Sequence, residues 1–451
     1  MNDIIVAIST ALGKGAISIV RLSGEGSIKL VNSVFKGKNL EEVDSHTINY
    51  GHIIDNDEVI DEVLISVMKA PKTYTMEDVV EINCHGGIAA TNKILELMIL
   101  KGARLAEAGE FTKRAFLNGR IDLVEAEAVM DVINAKTETA RKGAINQLEG
   151  RLSSIIRKFR QNILELLANI EVNIDYPEYE DAEEVTIEMI KDRVAEMRHS
   201  LSEIVNESMN RKIIKEGINV AIVGSPNVGK SSILNRLLNE EKAIVTDIAG
   251  TTRDIVEGSI TLNGILLNFI DTAGIRNTDD VVEKFGVEKS IEQIEKADLV
   301  LFVLNNNKEL TEEEKTILEK IKNKKYIIVV NKKDLENKLN IDNYNFENIV
   351  YTDTISVDGI EELKKKIISM FNLDEIEQNY CEIFTNMRQI TLAKESLSIL
   401  SDVESGIALS VPVDMLEIDI KRIWEKLGEI LGENYSDELI EQLFSQFCLG
   451  K

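Results

Sequence analysis

The residues whose types and spacing bear most directly on chemistry lie near the middle of the chain. Gly224-Ser225-Pro226-Asn227-Val228-Gly229-Lys230-Ser231 follows the apolar run Ile218 to Val223 and opens the helical run SILNRLL. This is GxxxxGKS between a strand and a helix, the context a phosphate-binding P-loop requires. Its glycines let backbone N–H groups close around a β-phosphate, and the helix N-terminus adds partial positive charge. Asn227, Val228, Gly229, Lys230, Ser231 and Ser232 are therefore expected against the nucleotide. Lys230 would bridge β and γ oxygens, a catalytic role, and the Ser231 hydroxyl would take a Mg²⁺ position.

A second segment chooses the base. The strand pattern Tyr326 to Val330 runs into Asn331-Lys332-Lys333-Asp334, an NKxD at a strand end, where a base-reading loop belongs in a doubly wound sheet. A carboxylate at Asp334 accepts from both the ring N–H and the exocyclic amino group of guanine, whereas adenine presents an acceptor there. Charge-assisted bonds of ~1.5 to 3 kcal/mol make the guanine preference at least ~10-fold. Asn331 and Lys332 belong to the same loop, and Ser356-Val357 is a weak match to a Ser-Ala pair that would hold the guanine oxygen.

Two further loops complete the order of a GTPase. Asp271-Thr272-Ala273-Gly274 follows the strand Leu266 to Ile270; Asp271 would hold the metal through water and the Gly274 N–H would meet the γ-phosphate. Upstream, TDIAGTTRD over 246–254 carries threonines 246, 251 and 252, suited to sensing a γ-phosphate through magnesium. The position after Gly274 is Ile275, which cannot orient a water by hydrogen bonding. Asp280 or Glu283 could do so, or could be solvated acids on a loop.

These loops need elements to hold them. Around the P-loop, residues 217–371 read as a P-loop domain with a doubly wound parallel sheet. Residues 1–120 alternate short β-branched runs (Ile4 to Ile8, Ile17 to Leu22, Ile48 to Ile53, Val63 to Val67, Val79 to Asn83) with a helical stretch from Ile88 to Leu100, an α+β pattern. From Leu123 the period changes. Ile145, Leu148, Leu152, Ile155, Phe159, Ile163, Leu166 and Ile170 form one stripe of a single long helix, ending near Pro177. Further stripes fall at Ile190, Val194, Met197, Leu201 and Ile204, and at Leu416, Ile420, Ile423, Leu427 and Ile430. Such stripes must be buried, which suggests one helical domain made of 121–216 and 372–451 with 217–371 inserted. The fold class expected is multidomain α/β.

Composition bounds the partners. Across 451 residues, 52 Lys and Arg face 78 Asp and Glu, a net charge of −26, with 44% hydrophobic residues. An all-over electrostatic grip on nucleic acid is excluded. The charge is uneven: residues 1–120 hold 13 basic against 16 acidic residues, while 372–451 hold 6 against 16. Three scattered cysteines, Cys84, Cys381 and Cys448, suit a reducing compartment. No apolar run approaches the ~20 residues of a membrane span, and the N-terminus lacks the features of a signal peptide. A cytoplasmic protein without a membrane partner is expected.

On these residues the chain resembles the MnmE (TrmE) family of tRNA-modification GTPases along its whole length. The marks are the loop order above, TDIAGTTRD, and the terminal Cys448-Leu449-Gly450-Lys451, which is similar to that family's Cys-hydrophobic-Gly-Lys ending. The resemblance implies a folate-binding N-terminal domain that forms a homodimer, a discontinuous helical domain, an inserted G domain, and GTP hydrolysis activated by potassium. It implies K⁺ at Asn227, Thr246, Ile248 and Thr251, Mg²⁺ at Ser231 and Thr252, and Glu283 orienting the water through a second water. A cation against the phosphates would then stabilise charge as an arginine finger does elsewhere, worth ~10³ to 10⁵ in rate. That answers the lack of a glutamine at Ile275.

For a tetrahydrofolate derivative, in its 5-formyl or methylene form, the resemblance points to Arg21, Glu81, Arg120 and Lys451. Arg120 stands where some relatives carry lysine, keeping the charge though not the shape. Cys84 departs from the family pattern and reads as packing; for Cys448 a chemical role and simple packing both stay open. The implied partner is the FAD-containing flavoprotein MnmG (GidA), in a heterotetramer that carries most of the tRNA contact. The implied reaction adds a carboxymethylaminomethyl group to the wobble uridine of certain tRNAs. Two rival readings are a GTPase switch in ribosome or RNP assembly, and a folate-binding protein in which GTP regulates an unrelated enzyme.

Overall fold

The computed structural model describes residues 3–175, 187–240, 258–270, 287–341, 346–356, 359–371, 384–447 and 450. The chain forms two compact units: Met1–Ile133 with Asn146–Ser202 and Thr391–Lys451, and Asn134–Ile145 with Glu203–Ile390.

The first unit holds a seven-stranded sheet: β1 (Ile5–Ile8), β2 (Ile17–Ser23), β3 (Phe35–Lys36), β4 (Thr47–Asp55), β5 (Glu58–Met68), β6 (Val79–His85) and β7 (Arg104–Leu105). Its order is β3-β4-β5-β6-β2-β1-β7. The period of two decides its faces. Val20, Leu22, Val63, Ile65, Val67, Val80, Ile82 and Cys84 are buried on one side with Ile94, Leu97 and Met98 of the helix Ile88–Leu100. Arg21 and Glu81, at the alternate positions, are register partners in the antiparallel β2/β6 pair.

Cys84 is buried among these apolar side chains, and burial pushes its thiol above the ordinary value. It is therefore a core residue.

In the helical part of this unit, the helix Arg151–Asp175 buries Leu152, Ile163, Leu166 and Ile170 of the expected stripe, with Ile156 buried instead of Ile155 and with Phe159 only partly buried. The helix Val413–Leu431 buries Leu416, Ile420, Ile423, Leu427 and Ile430, the full expected stripe. Arg160 ties the two, with its guanidinium 4.2 Å from the Trp424 ring centroid and an ion pair to Glu433.

One expectation is corrected. The stripe from Ile145 to Ile170 belongs to two helices, Glu138–Leu148 and Arg151–Asp175. The break falls at Gly150, whose φ of 75° is left-handed, a conformation glycine adopts without a Cβ penalty. A Cβ there would stand 2.6 Å from Glu125 Oε1. The stripe at 190–204 also shifts at its end: Val205 is buried at the position expected of Ile204.

The second unit is built on six strands: β8 (Ile218–Val223), β9 (Ser259–Leu262), β10 (Ile265–Phe269), β11 (Leu299–Asn305), β12 (Lys325–Asn331) and β13 (Ile349–Tyr351). The order is β13-β12-β11-β8-β10-β9, parallel except for β9 against β10. β11 is buried at all seven positions, as a strand covered on both faces must be. Ile233, Leu234, Leu237, Leu363 and Ile367 cover one face; Ile294, Ile317, Leu318 and Ile321 cover the other. This is a doubly wound α/β fold. The chain leaves β8 toward β10 and returns on its other side to β11, so β8/β11 is the switch point at whose carboxyl ends ligands bind.

Candidate functional site

The P-loop leaves β8 at that switch point and ends in the helix Lys230–Glu240. Gly229 has φ 104°, and a Cβ on it would collide with the Asn331 side-chain amide. Asn227 is left-handed at φ 63° without being glycine, the kind of local strain that a surrounding network must hold in place.

That network comes from the second motif. Asn331 is 1% exposed; its Nδ2 donates to Val228 O at 2.9 Å, and its Oδ1 accepts from the Thr352 hydroxyl at 3.3 Å. Lys332 Nζ donates to Asn227 O at 3.0 Å. Lys230 Nζ donates to Gly224 O at 2.9 Å and Ser225 O at 3.1 Å, so the ammonium lies within the curl of the loop. The NKxD segment thus fixes the carbonyls of the P-loop, which leaves the opposite edges of those peptides, the N–H groups, for an anion.

Asp334 is exposed beyond the strand end, on the same loop as Asn331 and Lys332. Ser356 is placed by Asp353, which accepts from its N–H at 2.6 Å and its hydroxyl at 2.8 Å. Those bonds hold the Asp353 carboxyl below its ordinary value. Ser356 O also accepts from Arg236 at 2.9 Å.

One supporting residue had a signal that sequence reasoning passed over. Thr311 and Glu314 form a capping box on the helix Glu312–Ile321, and Glu314 Oε1 accepts from Ser225 Oγ of the P-loop at 2.7 Å. The pattern T-x-x-E is readable in the chain.

Thr246, Ile248, Thr251, Thr252, Asp271, Thr272, Ala273, Gly274, Ile275, Asp280 and Glu283 lie outside the described residues, as do Cys448 and Lys451. Among the described residues there is no group of three or more His, Cys, Asp or Glu able to hold a metal.

The first unit has a second polar site. Arg21 and Glu81 form an ion pair at 2.8 Å with side chains 18% and 20% exposed. Arg21 also reaches Gly450 O at 3.4 Å, and Ser9 Oγ donates to the same carbonyl at 3.1 Å. The end of the chain is thereby brought to β1 and β2. Arg21 stands 5.7 Å from the Phe111 ring centroid. Tyr74 packs on the cluster containing Phe111, and Arg120 lies 4.8 Å from the Tyr74 centroid while donating to Tyr74 O at 3.0 Å. Arg21 and Glu81 therefore meet directly, while Arg120 lies on Tyr74, which packs on the same apolar cluster as the Phe111 ring beneath Arg21. Neither ring had a signal in the sequence.

A buried ionic cluster supports this region. Arg114, 1% exposed, donates to Asp3 Oδ1 at 2.8 Å, to Glu77 at 3.1 Å and to Glu110 at 3.1 Å. Arg104 donates to Glu110 at 2.6 Å. Burial alone would raise the Glu110 carboxyl; the hydrogen bonds from Arg104, the Glu107 N–H and Arg114 overcome it and hold it below its ordinary value of 4.5.

Fold and loops together define a P-loop GTPase: a phosphate-binding loop at the switch point of a doubly wound sheet, secured by a guanine-type NKxD. Models of two families match the chain, the GTP-binding protein TrmE N-terminus over residues 4–120 and the MnmE helical domain over 123–448. The tRNA modification GTPase MnmE of Ligilactobacillus salivarius is 53% identical over 456 residues, covering 100% of this chain and 98% of that protein. Its counterpart in Streptococcus thermophilus is 54% identical over 451 residues, with the same coverage. Among solved structures, the G domain of the T. maritima FeoB iron transporter matches at 27% identity over 34% of this chain and 97% of that one. Its TM-score of 0.25 adds nothing to the loop geometry. The chain belongs to the MnmE family and is a GTP-hydrolysing enzyme. Among the described residues no helix is long and apolar enough to cross a membrane.

Proposed function

We propose that this GTPase acts in tRNA modification, joining the FAD-containing flavoprotein MnmG to add a carboxymethylaminomethyl group to the wobble uridine of certain tRNAs. The observation that carries the reading is the NKxD segment bonded back onto the P-loop, in a chain more than half identical to named tRNA modification GTPases over its full length. The working form in this reading is a cytoplasmic homodimer in a heterotetramer with the flavoprotein, which takes most of the tRNA contact. A surface of net charge −26 is consistent with that division.

Within the reading, Lys230 and the P-loop N–H groups bind and orient the phosphates, and Asp334 reads guanine. Ser231, in the first turn of its helix, suits Mg²⁺ together with Thr252. The Asn227 side chain is exposed and makes no hydrogen bond among the described residues. Its amide oxygen is thus available to K⁺, with Thr246, Ile248 and Thr251 completing that site and Glu283 placing the water. Arg21, Glu81, Arg120 and Lys451 would hold a tetrahydrofolate derivative. A half-buried carboxylate suits the adjacent N–H donors of a pterin, and the cations suit its glutamate. Bound folate would supply the one-carbon unit. GTP turnover would drive rearrangement while electrons pass through the partner's FAD.

The test is reconstitution with the flavoprotein, tRNA, GTP, methylene-tetrahydrofolate for the methylene carbon and glycine for the carboxymethylamino part, read by mass spectrometry of the wobble nucleoside in K⁺ and in Na⁺ buffer. Modified uridine is expected in K⁺, with GTP hydrolysis slowed roughly 10³-fold in Na⁺. Unmodified nucleoside in both salts sinks the modification reading and favours an assembly switch; equal hydrolysis in both removes the cation.

A further inference from the structure

Beside Arg120 lies a cleft of about 540 Å³ whose charge is unlike that of the chain as a whole. His46, Lys72 and Arg120 line it and no acidic side chain does, while Met68, Pro71 and Met76 supply apolar wall. No ion pair among the described residues involves any of the three basic side chains.

The cleft is held in shape from beneath. The Tyr74 hydroxyl meets the Thr112 hydroxyl at 2.9 Å, Thr73 Oγ1 donates to Glu77 O at 2.6 Å, and Ala70 N donates to Asp78 Oδ1 at 2.9 Å. His46 and Met76 have φ of 62° and 61°, left-handed values uncommon outside glycine and concentrated at ligand-holding sites. Apolar walls with a cationic rim suit a ligand that is apolar along its length and carries carboxylates at spaced intervals.

We propose that this cleft receives the γ-linked glutamate chain of a folate polyglutamate, with Lys72 and His46 meeting the carboxylates beyond the one held by Arg120. The proposal rests on the folate reading above and adds to it a preference for the polyglutamyl forms. Each γ-linked glutamate adds one carboxylate, and beyond Arg120 the cleft offers the Lys72 ammonium and the ring of His46 as a hydrogen-bond donor. The observations favour this small ligand over an RNA strand. An RNA strand is held by neutralising many phosphates along its length, for which one lysine, one arginine and one histidine are too few, whereas a short glutamate chain has only a few carboxylates to meet.

The experiment measures binding of tetrahydrofolate monoglutamate and triglutamate to the full chain by calorimetry, with no turnover involved. Wild type should bind the triglutamate roughly 3- to 10-fold more tightly, the worth of one solvent-exposed charge pair and one hydrogen bond. Lys72→Met should bring that ratio below about 2 while leaving the monoglutamate unchanged, and Lys72→Arg should retain it. A ratio of one in wild type overturns the proposal and leaves the folate reading standing. If neither form binds, the folate reading fails and the proposal with it. If Lys72→Met weakens tRNA in filter binding but leaves the folate ratio intact, the cleft is an RNA contact and the proposal is wrong.

Discussion

The two polar sites of this chain are assembled in opposite ways. At the nucleotide site, the group offered to phosphate is the backbone itself, curled by Gly229 and fixed by Asn331 and Lys332 through two bonds to loop carbonyls, with Asn331 in turn held by Thr352. In the N-terminal unit, the polar groups are side chains from Arg21, Glu81 and Arg120, set by strand register, two aromatic rings and a buried ionic cluster. A site made of backbone is vulnerable where its anchors are lost. A site made of side chains is vulnerable where the elements that carry them are held apart or together.

The largest effect should come from the frame of the second kind. Arg114→Met leaves Asp3, Glu77 and Glu110 without their central cation, and breaking one partner of a buried ion cluster costs about 3 to 5 kcal/mol. Urea unfolding should show that loss, with GTP affinity staying within about twofold if the two sites are separately built. A parallel fall in GTP affinity would erase the contrast between them.

Asn331→Ala probes the first kind. It removes the donor to Val228 O and leaves that buried carbonyl unpaired, a cost of about 1 to 3 kcal/mol. Because the bond fixes the conformation that presents the N–H groups, GTP affinity should fall roughly 5- to 100-fold. Lys332→Met, at a half-exposed position, should do much less. Equal effects from the two would mean that the Asn331 bond is not the anchor.

This difference in construction also decides what the sequence could reveal. GSPNVGKS and NKKD are contiguous because a backbone conformation is encoded within a few residues, so strand, loop and helix could be placed together. The β-runs of residues 1–120 were legible for a similar reason: period two survives in Val20, Leu22, Val80 and Ile82. The Arg21–Glu81 pair is separated by 60 positions and became visible only through resemblance to a family, since strand register is not written locally. Tyr74 and Phe111 were missed altogether because a ring's neighbours depend on tertiary packing. The break at Gly150 was missed because the apolar stripe continues across it in phase, and only the left-handed φ reveals the change of helix.

The smallest effect sharpens the electrostatic side of the contrast. Glu110 has its carboxyl held below 4.5 in the folded chain. A depressed carboxylate contributes stability that is present above its unfolded value and is lost as pH falls through the folded one. Glu110→Gln keeps the shape but exchanges charge-assisted bonds for neutral ones of about half the strength, so it should cost about 1 kcal/mol at pH 7. Below pH 4.5 the carboxyl takes up a proton first in the unfolded chain, so the wild type loses stability and the gap between wild type and variant should narrow. Urea titrations of both proteins at pH 7 and at pH 3 measure that gap directly. A gap of constant size would show that Glu110 acts by packing and hydrogen-bond geometry alone; the Arg104 and Arg114 guanidiniums would then be serving as donors rather than as charges. The Asn331 anchor contains no titratable group, so no comparable closure is expected for Asn331→Ala over the same range.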